Sequence, residues 1–346
     1  MRFLILLTIL ASLWPARLRA DDLVRRPFKG NEARPSKPTD LKPFDKATSP
    51  QPGPEPPAGL PDGNAVIRGQ AGAGEIVITT TSRLAGAIHS LKWQGQEFID
   101  SVDHGRQLQS AASFDCALAR PFWAECFNPT EAGSRDDGAG TKSSSRLLEI
   151  HAAGAELRTT TQMAFWLAPG EKSSGRPALN DQVLSSHLLS KQVHIGYKKL
   201  SNVIEYQVVF TVPEGERHAQ AQFEALTGYM PPEFERFWKF LPASGKLQEL
   251  DDGPGEQACP VVFSTVDGSH AMGIISPDQP SPGCTKAGYG RFRFKAEKVV
   301  KWNCVFRIRD AQKIPGEHHF RMFVAVGTLE EVRLALESLT REFAKR

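Results

Sequence analysis

The segment DHGRQLQ at residues 103–109 collects side chains that can bind a ligand or move a proton. Arg106 and Gln107 can make directional hydrogen bonds to hydroxyl groups and carboxylates, and a guanidinium can bind a carboxylate through two parallel bonds. His104 can give or take a proton near neutral pH. A plain polar turn, in which Arg106 pairs with Asp103, is the simpler alternative, since most surface charges are solvated or loosely paired. The density of directional groups favours a binding site with His104 as a catalytic candidate, and both interpretations stay open.

The stretch AECFNPTEAGSRDDGAGTKSSSR at residues 124–146 is polar and has almost no apolar side chain to bury. Its carboxyl groups could act as general acids or bases, and its amide and guanidinium groups could hold a substrate or a developing negative charge. The predicted catalytic candidates are Glu125, Glu131 and Asp136, and the predicted binding residues are Asn128 and Arg135. An exposed glycine-rich loop that binds nothing is the alternative.

The two halves of this stretch differ in the aromatic residues that could anchor them. Phe122, Trp123 and Phe127 can anchor the first half against a core, and Pro129 stiffens its backbone. An anchored polar loop is a better site than a free one because preorganisation lowers the ordering cost of binding. We therefore expect the first half to face the DHGRQLQ segment across one cleft, and the second half, after Asp137, to be a mobile flap.

A third candidate region, ALTGYMPPEFERFWKF at residues 225–240, mixes aromatic rings with carboxylates. The apolar faces of sugar rings stack on aromatic side chains while sugar hydroxyls meet polar groups, so this mixture suits a glycan cleft. Tyr229 and Glu233 are the predicted binding residues of this region. Phe234 and Phe237 are better explained as packing that holds a loop on the core.

Motifs for several other chemistries are absent from the sequence. HExxH, P-loop and GxSxG patterns do not occur, and the adjacent His318 and His319 would face opposite sides of a strand, so they cannot share a metal. The sequence therefore predicts no metal site and no cofactor. The net charge of +3 is spread along the chain, which argues against nucleic acid as a partner because phosphate-binding surfaces cluster basic residues.

The elements that must position these residues are mostly strands. From about residue 64 onward, short β-branched and aromatic runs are separated by turns, which is typical of antiparallel sheets. In NVIEYQVVFTV (202–212) apolar and polar residues alternate, the period of a half-buried strand. The last stretch, LEEVRLALESLTREFAKR, spaces apolar residues three and four apart and predicts a helix capped by Thr328 and Glu331. The predicted fold is all-β, a large antiparallel β-sandwich with a C-terminal amphipathic helix.

Composition divides the chain into three regions. Residues 1–20 have a basic start, an apolar core and a plausible cleavage site, so they are predicted to be a signal peptide. Residues 21–63 are rich in proline and charge and predict a disordered linker. Residues 64–346 contain no second linker and predict one β-sandwich domain. No later segment is apolar enough to span a membrane, so the mature chain is expected to be secreted or periplasmic, with a retained N-terminal anchor as the alternative.

Export would permit disulfide bonds, but the sequence has five cysteines, so at least one thiol is left over. Cys116 could bridge to Cys126, and Cys259 to Cys284, if neighbouring strands bring them together. Buried thiols that pack as small hydrophobic residues are the alternative.

A small-residue strand followed by a W-x-G-x-E turn lies near the start of the predicted domain, and its matching residues are Gly86, Ile88, Ser90, Leu91, Trp93, Gly95 and Glu97. This region resembles the start of galactose mutarotase-like proteins, the sugar-binding β-supersandwich group that includes aldose epimerases and domains of glycosidases and polysaccharide lyases. The resemblance implies a supersandwich fold and an oligo- or polysaccharide ligand. Aldose epimerases also carry a catalytic histidine and a late glutamate. His194 is the candidate for the first, whereas Asp278 stands where the glutamate motif is expected, which argues against simple mutarotase activity.

Two functions follow from these features. The first is a secreted carbohydrate-binding or carbohydrate-processing protein, whose reaction could be epimerisation, hydrolysis or β-elimination. The alternative is a non-catalytic envelope module that recognises a glycan or a protein partner. An enzyme should bring two carboxylates, or a carboxylate and a histidine, together across a concave sheet.

Overall fold

The computed structural model describes residues 59–277 and 281–344. The predicted signal peptide, most of the predicted linker and Asp278 lie outside the described residues. The first strand begins at Ala65, next to the predicted start of the folded domain.

The described chain consists of antiparallel strands followed by one long helix, and this confirms the predicted all-β fold class. The strands are β1 (Ala65–Ala71), β2 (Gly74–Thr80), β3 (Ile88–Trp93), β4 (Gln96–Glu97), β5 (Leu108–Phe114), β6 (Pro129–Thr130), β7 (Arg146–Ala153), β8 (Glu156–Phe165), β9 (Lys172–Ser173), β10 (Arg176–Pro177), β11 (Leu184–Tyr197), β12 (Leu200–Val212), β13 (Ala221–Met230), β14 (Arg236–Leu241), β15 (Lys246–Leu250), β16 (Gly255–Gln257), β17 (Val261–Ser264), β18 (Ala271–Ile275), β19 (Gly288–Phe294), β20 (Val299–Ile308) and β21 (Gly316–Gly327). The helix is α1 (Leu329–Phe343), and single 3₁₀ turns occur at Ser82–Leu84, Ala124–Phe127, Arg135–Asp137 and Ala311–Lys313.

Strand pairing arranges the main strands in two antiparallel layers. One layer, the helix layer, runs β7-β8-β11-β12-β21-β18-β17-β14-β15. The other, the cleft layer, runs β1-β2-β3-β5-β13-β20-β19-β16. The two-residue strand β6 pairs with β5 of the cleft layer and with β8 of the helix layer, so it joins the two layers.

The main core lies between the two layers. Phe210 and Phe320 of the helix layer pack against Phe223 and Phe306 of the cleft layer, with ring centroids 4.7 to 5.3 Å apart. The alternation in 202–212 is confirmed: the side chains predicted to face the core are all buried, namely Ile204, Tyr206, Val208, Phe210 and Val212. Burial of this apolar surface is the main driving force for assembling the layers.

A second, smaller core lies on the outer face of the helix layer. Phe323 and Ala325 of β21 point away from the main core and pack with Val332, Leu336 and Leu339 of α1. Thr328 caps the helix by accepting from the Glu331 amide, and the Glu331 carboxylate accepts from the Thr328 amide, as the sequence predicts. The described part of the chain contains no helix with the length and hydropathy needed to cross a bilayer.

The cysteines do not form either of the two bridges considered from the sequence. Cys116, Cys259 and Cys284 are free thiols. Burial raises the pKa of Cys116 and of Cys284 to about 12 in each case, so both stay protonated at neutral pH. They act as small apolar residues in this fold.

Candidate functional site

A cleft of about 430 Å³ lies on the outer face of the cleft layer. Its floor is formed by side chains of β5, β13, β19 and β20, and its walls come from the loops that precede β5, β6 and β20. Arg106, Glu125, Asn128 and Tyr229, four of the residues predicted from the sequence, line this cleft. The DHGRQLQ segment and the first half of the 124–146 stretch therefore do meet at one cleft.

An irregularity in β13 determines which of its side chains reach the cleft. Gln222 and Glu224 point into it, but Ala225 and Leu226 are both buried, and the pairing register with both neighbouring strands shifts after Glu224. A bulge inserts one extra residue, so every side chain after it points to the face opposite to the one that strict alternation would give. As a result Thr227 joins Gln222 and Glu224 on the cleft floor, and Tyr229 follows it.

Lys301 lies at the centre of the charge arrangement on the floor. Its Nζ is 3.1 Å from Glu224 Oε2 and 5.0 Å from the centroid of the Tyr229 ring. Burial alone would lower the pKa of Lys301, but the Glu224 carboxylate and the Tyr229 hydroxyl outweigh it, so the pKa is raised. Burial raises the pKa of Tyr229, and the Lys301 charge opposes this only in part. At neutral pH Lys301 is therefore an ammonium and Tyr229 a neutral phenol.

Two arginines hold carboxylates at the rims of the cleft. Arg307 donates to both oxygens of Glu256, at 2.8 and 2.7 Å, and to Gln222 Oε1 at 3.0 Å. Arg106 lies 3.1 Å from Asp103, the pairing expected of a polar turn. Arg106 thus has the pairing expected of a polar turn and also lines the cleft, and its role in binding stays a prediction.

Glu125 differs from these carboxylates. It lies in the 3₁₀ turn Ala124–Phe127, is partly buried, and has no hydrogen bond or ion pair to another described residue. Its charge reaches the floor: burial is the main cause of the raised pKa of Tyr229, and the charges of Glu224 and Glu125 add to it. A partly buried carboxylate without a partner can meet a substrate directly.

The anchoring of this loop agrees with the sequence prediction. Phe127 packs on Phe165 with centroids 4.5 Å apart, and Trp123 donates to Ser173 Oγ at 3.2 Å while Arg176 covers its ring. Asn128 donates to the Ala112 carbonyl and to Ser113 Oγ. These contacts hold Glu125 at the cleft wall.

Three aromatic rings complete the lining, and the sequence interpretation did not single them out. Phe292 and Phe294 stand on the same face of β19 with nearly parallel rings, 6.1 Å between centroids. Trp166 follows β8 and packs so closely on Gly105 that a Cβ there would lie 2.7 Å from its ring. The alternation in YGRFRF places Phe292 and Phe294 on one face of a strand. Their position in a cleft can be inferred only when the structure shows that this face lines one.

Other predicted residues lie outside the cleft and have structural partners. His104 is buried, and its ring nitrogens contact the carbonyls of Gly138 and Arg83 at 2.8 Å each. Gln107 is also buried, and its amide donates to the Asp103 carbonyl. The proton-transfer and binding roles predicted for this pair are therefore not available to a ligand in the cleft.

Glu131 points into the core between the layers. It pairs there with Lys191 of β11, both side chains being fully buried, and accepts a hydrogen bond from the Ser110 amide at 3.1 Å.

Asp136 is exposed, and Arg135 pairs with Glu171. The predicted flap is instead folded by Asp137, which accepts hydrogen bonds from the backbone of Ser134 and Ser144. The Asp137 carboxylate therefore links the two ends of the loop by hydrogen bonds. The glycine- and serine-rich composition of the loop does not predict this contact.

His194 and Glu233 lie away from the cleft as well. His194 is exposed on β11 of the helix layer and contacts the Gly196 carbonyl at 2.8 Å. Glu233 is exposed and accepts a hydrogen bond from Gln96 at 3.2 Å. Phe234 and Phe237 are buried, as the packing interpretation expected. No histidine or cysteine is found among the described residues that line the cleft, so carboxylates, Lys301 and Tyr229 supply its reactive groups.

No family model matches the sequence, and no curated protein matches it. Similar solved structures include a 4-alpha-glucanotransferase from Thermococcus litoralis (TM-score 0.40, 9% identity, 78% of this chain and 40% of that one). Others are an alpha-mannosidase from Enterococcus faecalis V583 (0.44, 11%, 77% and 30%) and the Slr1438 protein from Synechocystis sp. PCC 6803 (0.39, 8%, 79% and 99%). This chain spans less than half the length of the two enzymes. At these TM-scores the similarity assigns no activity, and function is inferred from the cleft.

Proposed function

We propose that the cleft binds a carbohydrate and that Glu125 exchanges a proton with it. The observation that carries this proposal is the isolation of Glu125 among the carboxylates of the cleft. Asp103, Glu224 and Glu256 each face a basic side chain, whereas Glu125 is partly buried and unpaired among the described residues. Glu297, at the rim, is exposed. A general acid or base must be free to reach the substrate, and Glu125 meets that requirement.

The other lining groups suit a neutral or weakly acidic sugar. Trp166, Phe292 and Phe294 offer apolar faces on which a pyranose ring can stack. Gln109, Asn128, Gln222 and Asn303 offer donors and acceptors for hydroxyl groups. Such a mixture of aromatic rings and a few placed polar groups is typical of small-molecule clefts. The lining comes from four strands and the loops before three of them, and we expect it to take several sugar units of an oligo- or polysaccharide.

The floor supplies electrostatic support for proton transfer. Lys301 is held as an ammonium beside Glu224 and Tyr229, so it can stabilise negative charge that develops on a sugar oxygen. Epimerisation, glycoside hydrolysis and β-elimination all need a proton-transferring group at the reacting centre. Glu125 is our candidate for that group in each of these reactions.

The second candidate function is a non-catalytic module that recognises a glycan or a protein partner. The observation that favours it is the pairing of Glu224 with Lys301 and of Glu256 with Arg307, which leaves Glu125 as the single inner carboxylate without a basic partner among the described residues. Acid–base catalysis on sugars usually needs two reacting groups. Tyr229 would have to serve as the second in an enzyme.

The proposal includes export. The export part of the proposal rests on the composition of residues 1–20, and we expect the chain to reach the periplasm or the medium. Fractionation of cells that express the full sequence, followed by N-terminal sequencing of the exported form, tests this part. Recovery only in the cytoplasm, with the N-terminus intact, would refute it.

Glu125→Gln separates the enzyme from the module. A panel of neutral and uronic-acid oligosaccharides is assayed for binding and for product release with the wild type, Glu125→Gln and the control Glu149→Gln. We expect Glu125→Gln to bind within about threefold of the wild type but to lose about a hundredfold or more in turnover, since general acid–base catalysis contributes about 10² to 10⁴. Glu149 is exposed on β7, so its variant should behave as the wild type.

Each outcome of this panel has a clear meaning. Binding without turnover in the wild type supports the module and removes the catalytic role of Glu125. Turnover that survives in Glu125→Gln assigns proton transfer to another group. The absence of binding to every glycan by the folded wild type overturns the carbohydrate proposal as a whole.

A further inference from the structure

A group of three potential metal ligands lies between the two layers, at the end of the sandwich. His187 belongs to β11, and Glu216 and His218 lie in the segment that connects β12 to β13. One oxygen of Glu216 is 2.8 Å from His218 Nε2 and 3.2 Å from His187 Nε2. All three potential ligand atoms lie within 4.8 Å of one another. Side chains from two parts of the fold therefore converge on one point.

The two histidines are buried, and their hydrogen bonding is incomplete. Each side chain is 2% exposed. Neither ring nitrogen of His187 has a hydrogen-bond partner among the described residues, although its Nε2 points toward Glu216, and His218 Nδ1 also lacks one. Buried polar groups almost always have partners, because leaving one unpaired costs much of its hydration. A ligand between the three side chains would satisfy His187 Nε2.

Neighbouring aromatic rings fix the orientation of both imidazoles. Phe114 packs on His187 with a centroid distance of 5.0 Å and on His218 with one of 4.5 Å, both rings tilted by about 30° to 35°. Phe127 contacts both histidines from another side. Side chains locked in this way meet a ligand with little loss of conformational freedom, which favours binding.

We propose that His187, Glu216 and His218 bind one divalent transition-metal ion. Two imidazole nitrogens and one carboxylate oxygen are the donor set of many three-residue zinc sites, and imidazole also suits Cu²⁺, Ni²⁺, Co²⁺ and Fe²⁺. Mg²⁺ and Ca²⁺ prefer oxygen ligands throughout and are poorly matched. The Glu216 side chain is 24% exposed, so solvent can reach the ion and supply the remaining ligand.

The position of the site gives the ion a structural effect. It would connect β11 of the helix layer with the segment that leads into β13 of the cleft layer. Phe114, which covers both histidines, adjoins Ser113, which lines the cleft on the opposite face of β5. Binding of the ion would therefore stabilise the part of the sheet that forms the cleft floor. The metal proposal does not depend on the carbohydrate proposal.

Metal titration of the full-length protein tests the inference. The protein is stripped with a chelator, dialysed, and titrated with ZnCl₂, with CoCl₂ and, for comparison, with MgCl₂. We expect one equivalent of Zn²⁺ and of Co²⁺ to bind, Co²⁺ to give the visible absorption of a low-coordinate site, and Mg²⁺ to bind at least a hundredfold more weakly. The melting temperature should rise with Zn²⁺, because a ligand that binds the folded state stabilises it.

Matched variants identify the ligands. His218→Ala and His187→Ala should lose the stoichiometric site, whereas His194→Ala, which removes an exposed histidine of β11, should keep it. Glu216→Gln preserves shape and is expected to weaken Zn²⁺ binding at least tenfold even if the alanine variants do not fold. The proposal is overturned if the folded wild type binds no more Zn²⁺ than Glu216→Gln, or if the site persists when either histidine is removed.

Discussion

Lys301 places a positive charge at the centre of the cleft floor. Its ammonium is 3.1 Å from Glu224 and lies over the Tyr229 ring. The pKa of Lys301 is raised despite burial, so its contribution to stability is complete at neutral pH and is lost only as strongly alkaline pH deprotonates it. The positive charge at the centre of the floor should therefore be constant from mildly acidic to mildly alkaline solution.

Lys301→Met tests this charge balance. Without the ammonium, the partly buried Glu224 has no positive partner, so its charge should repel electron-rich ligand oxygens. We expect affinity for an oligosaccharide ligand to fall about tenfold, equivalent to about 1.4 kcal/mol. Affinities measured at neutral pH for the wild type and the variant check this. The exposed Lys92→Met is the control, and an affinity of Lys301→Met equal to that of the control would contradict the explanation.

The outcome for single residues shows what sequence alone can predict. Glu125 and Asn128 line the cleft, and their placement was predictable because the aromatic residues next to them indicated an anchored loop. His104 and Glu131 come from the same two segments but point inward, since their partners are the carbonyls of Gly138 and Arg83 in one case and Lys191 in the other. Those partners are distant in sequence. The direction of a loop side chain depends on such contacts, which no local pattern contains.

At the scale of elements, α1 illustrates a feature that local sequence determines almost completely. Its cap uses Thr328 and Glu331, residues three apart, and its buried face follows the helical period. The register shift after Glu224 in β13 is different, because it is defined by pairing with β5 and β20. Both strands lie far from β13 in sequence. The helix was therefore predictable, and the bulge that places Thr227 and Tyr229 in the cleft was not.

Thr328→Ala should weaken the attachment of α1. The substitution removes the side-chain acceptor for the Glu331 amide, and the loss of such a cap costs about 1 kcal/mol. We expect the free energy of unfolding in urea to fall by that amount with the cleft unchanged. Ser338→Ala, an exposed serine within the helix, is the control and should be neutral or slightly stabilising. A destabilisation no larger than that of the control would mean that packing alone holds the helix.

At the scale of the whole molecule, a buried ion pair links the layers. Glu131 follows β6, and its partner Lys191 lies on β11, with both side chains excluded from solvent. Glu131 also accepts a hydrogen bond from the Ser110 amide of β5. Removing one member of such a pair leaves the other charged and without a partner in the core, which is usually worse than removing both.

A double-mutant comparison tests this role. Glu131→Gln should lower the free energy of unfolding by about 3 to 5 kcal/mol, whereas Glu131→Gln combined with Lys191→Met should recover a large part of the loss. Urea unfolding followed by circular dichroism gives both values, with the exposed Asp181→Asn as the control. If the single and double variants are equally unstable, the pair contributes by shape and not by charge.

The short strand β6 has a consequence for how this protein can change during evolution. Thr130 pairs with β5 on one side, both residues of the strand pair with β8 on the other, and Glu125 lies only a few positions before them. A one-residue insertion or deletion between Glu125 and Thr130 would shift the proposed reactive carboxylate and the join between the layers together. Related sequences should therefore keep the length of this segment constant while the exposed loop at 138–142 varies freely.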